Sequence, residues 1–154
     1  MKALYAGSFD PFTTGHLDIV NRALMMFDSL VIGVGYNEHK KGEWPVAERV
    51  KAIAAKFSGD PRVEVASYSG LTVEFARSVD AGVLVRGVRG ITDFEKEKEL
   101  ADINMQISGI PTVIIPGAPD LSFVSSSMVR ELIHNGYDVS AYLGADFPVG
   151  NKNY

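Results

Sequence analysis

The chain has 154 residues, 46% of them hydrophobic, with a net charge of −4 and no cysteine. That length suits one domain with a single core, and the charge argues against broad nucleic-acid binding, which needs clustered Lys and Arg. The absence of cysteine excludes disulfides and thiolate chemistry. No stretch reaches the apolar length that spans a bilayer, and the first residues lack a signal-peptide pattern. We therefore expect a cytoplasmic protein with no membrane or nucleic-acid partner.

Short apolar runs alternate with amphipathic stretches along the chain. The runs predict strands at 2–6, 29–36, 63–68, 81–87 and 112–116. Apolar residues at helical spacing predict helices at 17–27, 46–57, 71–79, 91–108 and 125–135, with one further short turn within 138–144. Apolar strands that alternate with helices are typical of a parallel sheet covered on both faces. The predicted fold class is α/β: a single doubly wound domain over 1–154, with a frayed tail at 145–154.

In such folds ligands bind where strand carboxyl ends meet helix N-termini, which points to the loops at 7–16, 37–44, 86–93 and 116–127. The first reads GSFDPFTTGH. Its glycines and hydroxyls before a helix favour an anion site, to which His16 adds a candidate cationic donor. Thr13 or Thr14 alone would simply cap the helix, and Asp10 with Pro11 is turn chemistry.

The other three loops carry cations and serines. Lys40 and Lys41 follow the second strand, a position at which lysines are usually just solvated. Arg86 lies at the end of the fourth strand and Arg89 three residues further on, and such paired arginines suit bidentate phosphate recognition, unless they pair with nearby acids such as Asp93, Glu95 and Glu97. Serines at 125–127 open the last helix and offer cap hydroxyls and free N–H groups for a second phosphate.

Several other chemistries lack their motifs. The chain has no G-x-x-x-x-G-K-[ST], no H-E-x-x-H and no G-x-S-x-G. A dinucleotide fingerprint that starts at Gly33 and Gly35 fails at Glu38. Phosphate binding by loops and helix ends is the interpretation that these exclusions leave.

Together these motifs resemble those of a known superfamily. The TTGH at 13–16 resembles the [HT]-x-G-H signature of nucleotidyltransferases, and SSSMVR at 125–130 resembles their second signature. Within that superfamily, GSFDPFTTGH, RGVR with its DFEKE continuation, and SFVSSSMVRE are similar to the bacterial-type phosphopantetheine adenylyltransferases. The resemblance extends from residue 2 to about residue 143, nearly the whole chain.

The resemblance implies a Rossmann-like nucleotidyltransferase fold and a reaction. ATP and 4′-phosphopantetheine would give dephospho-coenzyme A and pyrophosphate. The substrate phosphate itself attacks the α-phosphorus, so catalysis needs positioning and charge stabilisation rather than an enzyme nucleophile. The resemblance also implies Mg²⁺ bound mainly through the ATP phosphates, no metal ligand from the protein, a homohexamer, and coenzyme A as a feedback inhibitor.

Roles carry over by position in the same way. His16 would stabilise the transition state at the α-phosphate, while Lys40 and Arg86 would hold the phosphopantetheine phosphate beside it. Ser8 would contact both substrates, and Thr72 the pantetheine arm. The residues assigned to ATP are Ser8, Phe9, His16, Gly87, Val88, Arg89, Glu97, Ser122, Phe123, Val124, Ser125, Ser126, Ser127 and Met128.

Three positions depart from the common pattern of that family. Ser8 replaces a usual threonine, Glu38 lies where many members have an Asn-Pro before the lysines, and Lys96 stands where many carry an aromatic residue. None of the three alters the roles assigned to His16 or Arg86.

Three rival hypotheses remain open at this point. The first is another member of the superfamily, acting on nicotinate mononucleotide or a cytidylyl acceptor, although those usually show His at the position of Thr13. The second is a nucleotide sensor that keeps the fold without the chemistry. The third is a structural α/β domain whose loop residues are only helix caps.

Overall fold

Five parallel strands form one sheet in this computed structural model, which describes residues 1–150. The strands are β1 Lys2–Gly7, β2 Ser29–Gly35, β3 Val63–Tyr68, β4 Val83–Val88 and β5 Thr112–Pro116. Their order is β3-β2-β1-β4-β5. The predicted doubly wound α/β fold is confirmed.

The strand order reverses direction beside β1. The chain runs outward from β1 to β2 and β3, then returns to place β4 on the other side of β1. Leu4 of β1 is therefore in register with Val31 of β2 and with Leu84 of β4. The crevice between the carboxyl ends of β1 and β4 is the topological switch point, where open α/β sheets bind ligands.

Five helices connect and follow the strands. They are α1 Thr14–Ala23, α2 Val46–Lys56, α3 Thr72–Ser78, α4 Ile91–Ser108 and α5 Ser126–His134, with 3₁₀ turns at Pro119–Leu121 and Ser140–Tyr142. The prediction of a first helix over 17–27 was wrong at both ends. The helix begins at Thr14 because Thr13 caps it, and it ends at Ala23 because the chain turns there and exposes Met25 and Met26.

Alternate residues of the central strand enter two separate apolar cores. Tyr5 packs in the core beneath α1 and α2, and Leu4 packs in the core beneath α3. This follows from the two-residue repeat of a strand, which sends neighbouring side chains to opposite faces. Both faces of the sheet are thus covered, and each fully buried aliphatic side chain contributes about 1.5–3 kcal/mol.

The segment after residue 144 differs from the predicted frayed tail. Ala145 and Phe147 are buried in the first core. The Phe147 ring meets Trp44 edge-on at 5.2 Å, and Trp44 Nε1 donates a hydrogen bond to the Pro148 carbonyl at 3.0 Å. The rest of the predicted tail, 151–154, lies outside the described residues. Within 1–150, no helix combines the length and apolar character needed to cross a membrane.

Candidate active site

A cavity of about 550 Å³ lies at the switch point between β1 and β4. Most residues that the sequence assigned to the site line it: Ser8, Phe9, His16, Arg86, Gly87, Val88, Arg89, Glu97, Val124, Ser125, Ser126 and Ser127. Five assigned residues do not line it: Lys40, Thr72, Ser122, Phe123 and Met128. The lining comes mainly from the loops at 7–16, 86–93 and 116–127. These loops meet because the carboxyl ends of parallel strands lie at one edge of the sheet.

His16 is held by a reciprocal cap at the start of α1. The Thr13 N–H donates to His16 Nδ1 at 2.9 Å, and the His16 N–H donates to Thr13 Oγ1 at 3.3 Å. Since Nδ1 accepts a backbone hydrogen bond, we assign the ring hydrogen to Nε2. The imidazole therefore presents a neutral N–H donor.

The surroundings of His16 oppose its protonation. Burial, followed by the positive charges of Arg86 and Arg89, lowers the pKa of His16 from 6.5 to about 3. The ring packs edge-on against Phe9 at 5.0 Å and lies 5.5 Å from Phe12. The expectation of a cationic donor was therefore wrong, because a proton on Nδ1 would displace the cap bond and place a cation between aromatic rings and arginines.

Backbone geometry in the first loop is unusual at Phe9. This residue has a φ of 48° although it is bulky and buried, a conformation that costs free energy outside glycine. Edge-on packing against Tyr5, at 5.1 Å between ring centroids, holds it in place. Burial also raises the pKa of Tyr5, so its hydroxyl stays neutral in the cavity wall.

Arg86 near the end of β4 and Arg89 just after it are both paired with carboxylates of α4. Arg86 donates to Glu97 at 2.7 and 2.8 Å and also to the Ala6 carbonyl, while Arg89 Nε donates to Asp93 at 2.9 Å. Asp93 and Glu97 lie one helical turn apart and hold both guanidinium groups at the cavity wall. A phosphate that enters the cavity would compete with these carboxylates for the arginines.

The three serines at the start of α5 have different roles. Ser125 is the N-cap, and its Oγ accepts from the Met128 N–H at 3.1 Å. Ser126 Oγ donates to the Pro11 carbonyl at 2.8 Å and so joins α5 to the first loop. Ser127 accepts from Arg130 at 3.2 Å. The positive end of α5 thus borders the cavity, which favours an anion there.

Sequence reasoning missed Asp18 at this site. Asp18 lines the cavity, accepts from the Ala118 N–H at 2.9 Å and pairs with Arg22 at 3.0 Å. It therefore ties the loop after β5 to α1. Its local signal, one acid in the second turn of a helix, is that of an ordinary surface residue. In the described part of the chain, 1–150, no group of three or more His, Asp or Glu side chains could hold a metal ion.

Lys40 and Thr72 lie on the β2–β3 side of the sheet edge. Lys40 is exposed in the loop between β2 and α2. Thr72 begins α3, where its Oγ1 is 2.8 Å from the Tyr68 hydroxyl. Lys40 follows β2, which lies beside β1, and Thr72 follows β3, which lies one strand further out. Neither residue lines the cavity between β1 and β4.

Comparison with known proteins identifies the family of this chain. Residues 4–132 match the cytidylyltransferase-like family. Phosphopantetheine adenylyltransferase of Phocaeicola vulgatus is 46% identical over 142 residues, which cover 92% of this chain and 94% of that protein. The enzyme of the same name from Porphyromonas gingivalis is 49% identical over 145 residues, covering 94% and 95%.

A solved structure shows the same fold at low identity. The bifunctional NMN adenylyltransferase/ADP ribose pyrophosphatase of Francisella tularensis superposes with a TM-score of 0.70 at 12% identity, over 92% of this chain and 44% of that one. The family resemblance predicted from the motifs is confirmed by the sequence relatives. This chain therefore belongs to the cytidylyltransferase-like family, within the group of the phosphopantetheine adenylyltransferases.

Proposed function

We propose that the protein transfers the adenylyl group of ATP to 4′-phosphopantetheine, giving dephospho-coenzyme A and pyrophosphate. The observation that carries this proposal is the convergence on one cavity of the His16 donor, two arginines and the positive end of α5. The names of the sequence relatives supply the acceptor.

The reaction needs no covalent enzyme intermediate. An oxygen of the acceptor phosphate attacks the α-phosphorus, and the bond from that phosphorus to the oxygen bridging to the β-phosphate breaks, so pyrophosphate leaves. His16 Nε2–H donates a hydrogen bond to a non-bridging oxygen of the α-phosphate, on which negative charge develops. Because this donor is neutral and fixed by Thr13, it does not reorganise during the reaction, which is how preorganised donors lower a barrier.

The two substrates would take different parts of the site. The start of α5 and Arg89 hold the β- and γ-phosphates of ATP, beside Gly87 and Val88. Arg86 and Lys40 hold the acceptor phosphate, and Thr72 contacts the pantetheine arm. This arrangement turns a bimolecular reaction into one between oriented neighbours, which supplies much of the rate enhancement.

Mg²⁺ would enter with ATP as part of that substrate. The three carboxylates that line the cavity are already paired with arginines: Asp18 with Arg22, Asp93 with Arg89 and Glu97 with Arg86. The ion would therefore be held by phosphate oxygens and water, which Mg²⁺ prefers.

We also propose that the enzyme is a cytoplasmic homohexamer inhibited by coenzyme A, as the family resemblance implies. The surface of α4 supports self-association, because apolar side chains recur along it with no cover from the described chain. Those that are at least 46% exposed are Ile91, Phe94, Leu100, Ile103, Met105 and Ile107. Exposed apolar surface of this kind is typical of an interface.

A pyrophosphate-release assay tests the proposed reaction. Purified protein is incubated with ATP and Mg²⁺, with or without 4′-phosphopantetheine, and dephospho-coenzyme A is measured by chromatography. We expect equal amounts of both products, and none without the acceptor. Product formation with nicotinate mononucleotide would support the rival superfamily member instead. Nucleotide binding without pyrophosphate release under any condition would support the sensor.

A further inference from the structure

The loop that carries Lys40 is anchored by a buried carboxylate of the first loop. Asp10, which is 7% exposed, accepts from the Glu43 N–H at 2.8 Å and from the Trp44 N–H at 3.0 Å. Two consecutive backbone donors on one carboxylate fix the position of that peptide. Asp10 therefore does more than shape the turn that its Asp-Pro sequence suggested.

A buried guanidinium of α2 joins the same two loops from the other side. Arg49, which is 5% exposed, donates to the Trp44 carbonyl at 3.0 Å and to the Ser8 carbonyl at 2.6 Å. Its Nε is also 4.0 Å from Asp10. Since a buried cation is costly without partners, these carbonyls and this carboxylate must stay in place around Arg49.

Space around the carboxylate is also limited at Gly42. A Cβ atom at this position would lie 2.6 Å from Asp10 Oδ2 and 3.2 Å from the Trp44 carbonyl oxygen. The close approach of the two loops therefore requires a residue without a side chain. We call the set Asp10, Gly42, Trp44 and Arg49 the loop clamp.

The tip of the loop has only local support. Residues 37–41 are exposed, and the backbone N–H groups of His39 and Lys40 donate to the side chain and carbonyl of Asn37 at 2.9 and 3.1 Å. The strand end before the tip and the loop clamp after it are the two points that determine where Lys40 lies. Of these, the loop clamp is the point that contacts the first loop, because Arg49 donates to the Ser8 carbonyl.

We propose that Asp10 and Arg49 are positioning residues that hold Lys40 where it meets the acceptor phosphate. This inference rests on the proposed function, because it uses the acceptor role of Lys40. ATP is held mainly by α5, Arg89 and His16, which the 37–44 loop does not carry. Displacing the 37–44 loop, which carries none of the residues assigned to ATP, should therefore weaken recognition of 4′-phosphopantetheine and leave ATP binding nearly unchanged.

Two variants perturb the loop clamp in different ways. Gly42→Ala pushes the loop away from Asp10 without removing a polar group. Asp10→Asn replaces one carboxylate oxygen by an amide NH₂, which faces one of the two backbone N–H donors and cannot accept its hydrogen bond. The backbone carbonyl of residue 10, which accepts from Arg130 at 2.7 Å, is unchanged. Gly59→Ala is the matched control, since its Cβ would meet no atom within 4 Å.

We expect both clamp variants to raise KM and Kd for 4′-phosphopantetheine about tenfold, the effect of losing one charged hydrogen bond. KM for ATP should stay within about twofold of wild type, since uniform binding of ATP is not touched. Hydrogen exchange should show faster exchange at the Glu43 and Trp44 amides in both variants. Gly59→Ala should match wild type in all of these measurements.

The outcomes separate this inference from the proposed function. If Gly42→Ala exchanges faster at Glu43 and Trp44 but binds 4′-phosphopantetheine as wild type does, the positioning role is refuted. A rise in both KM values together with a fall in kcat, in proportion to the fall in melting temperature, would also refute it. That pattern would show a general loss of structure. If the wild-type protein binds 4′-phosphopantetheine but does not turn it over, the proposed reaction is refuted. The Kd of Gly42→Ala for 4′-phosphopantetheine, compared with that of wild type, would still decide the role of the loop clamp.

Discussion

Replacing His16 by Ala separates the two roles that the structure gives this side chain. The substitution removes the bond from the Thr13 N–H to Nδ1, half of the reciprocal cap on α1, and loss of a helix cap costs about 1 kcal/mol. For a domain of this size that lowers the melting temperature by roughly 2–4 °C. The protein remains folded at 25 °C, because native domains are stable by about 5–15 kcal/mol.

The effect on turnover should be far larger than the effect on folding. The variant also loses the Nε2–H donor, and removal of one preorganised donor to a developing oxyanion lowers kcat by about 10²–10³. His16→Gln is the control, since Gln at this position of a capping box bonds the N-cap N–H in the same way. We expect Gln to recover the part of the melting temperature that the cap bond supplies but not the turnover, because its flexible amide is not held in place by packing against Phe9 and Phe12 as the imidazole is.

The assay is pyrophosphate release at saturating ATP and 4′-phosphopantetheine, with thermal unfolding measured on the same samples. Turnover of His16→Ala within about threefold of wild type would refute the assigned role, since a lost transition-state donor costs far more. Equal recovery of turnover and melting temperature in His16→Gln would show that capping alone explains the residue, as the structural hypothesis holds.

Three further outcomes follow from the same structure. The pKa of His16 is about 3 in the folded chain, against the ordinary value of 6.5, so below pH 6.5 the unfolded chain binds a proton that the folded chain does not. The free energy of unfolding should therefore fall by up to about 1.4 kcal/mol per pH unit on acidification. Urea titrations at pH 6 and 5 should show a smaller fall in His16→Gln than in wild type. Coenzyme A or dephospho-coenzyme A should raise the melting temperature, because a ligand at a hundred times its Kd adds about 2.7 kcal/mol to the free energy of unfolding. Nicotinate mononucleotide should not raise it, and the opposite result would favour the rival family member. Gly144→Ala places a Cβ 2.7 Å from the Thr13 carbonyl carbon and should destabilise the fold by about 1–3 kcal/mol in urea unfolding, whereas Gly59→Ala should be neutral.

Local patterns were enough to predict most of the secondary structure. The strands at 63–68 and 112–116 and the helix at 91–108 were predicted with the observed bounds, because apolar runs and a helix-ending glycine are signals between near neighbours. Apolar spacing placed the start of α1 too late, at 17, although Thr13 had been named as a candidate cap. Thr13 and His16 begin the helix by hydrogen bonding to each other.

The position of the site also followed from the sequence, once the topology was predicted. Parallel strands deliver their following loops to one edge, so His16, Arg86 and the serines at 125–127 could be expected together without a contact map. Their residue types indicated phosphate chemistry. The family motifs then supplied the individual roles, which local physical arguments alone could not assign.

The tertiary structure decided how each of these groups is held and charged. Three features depend on residues that are distant in sequence. They are the pairing of Arg86 with Glu97, the effect of Arg86 and Arg89 on the pKa of His16, and the contacts of Arg49 in the loop clamp. The burial of 145–148 against Trp44 is of the same kind. Sequence determines which elements form, because their signals are local; burial, which sets protonation and ion pairing, depends on what the folded chain brings from elsewhere.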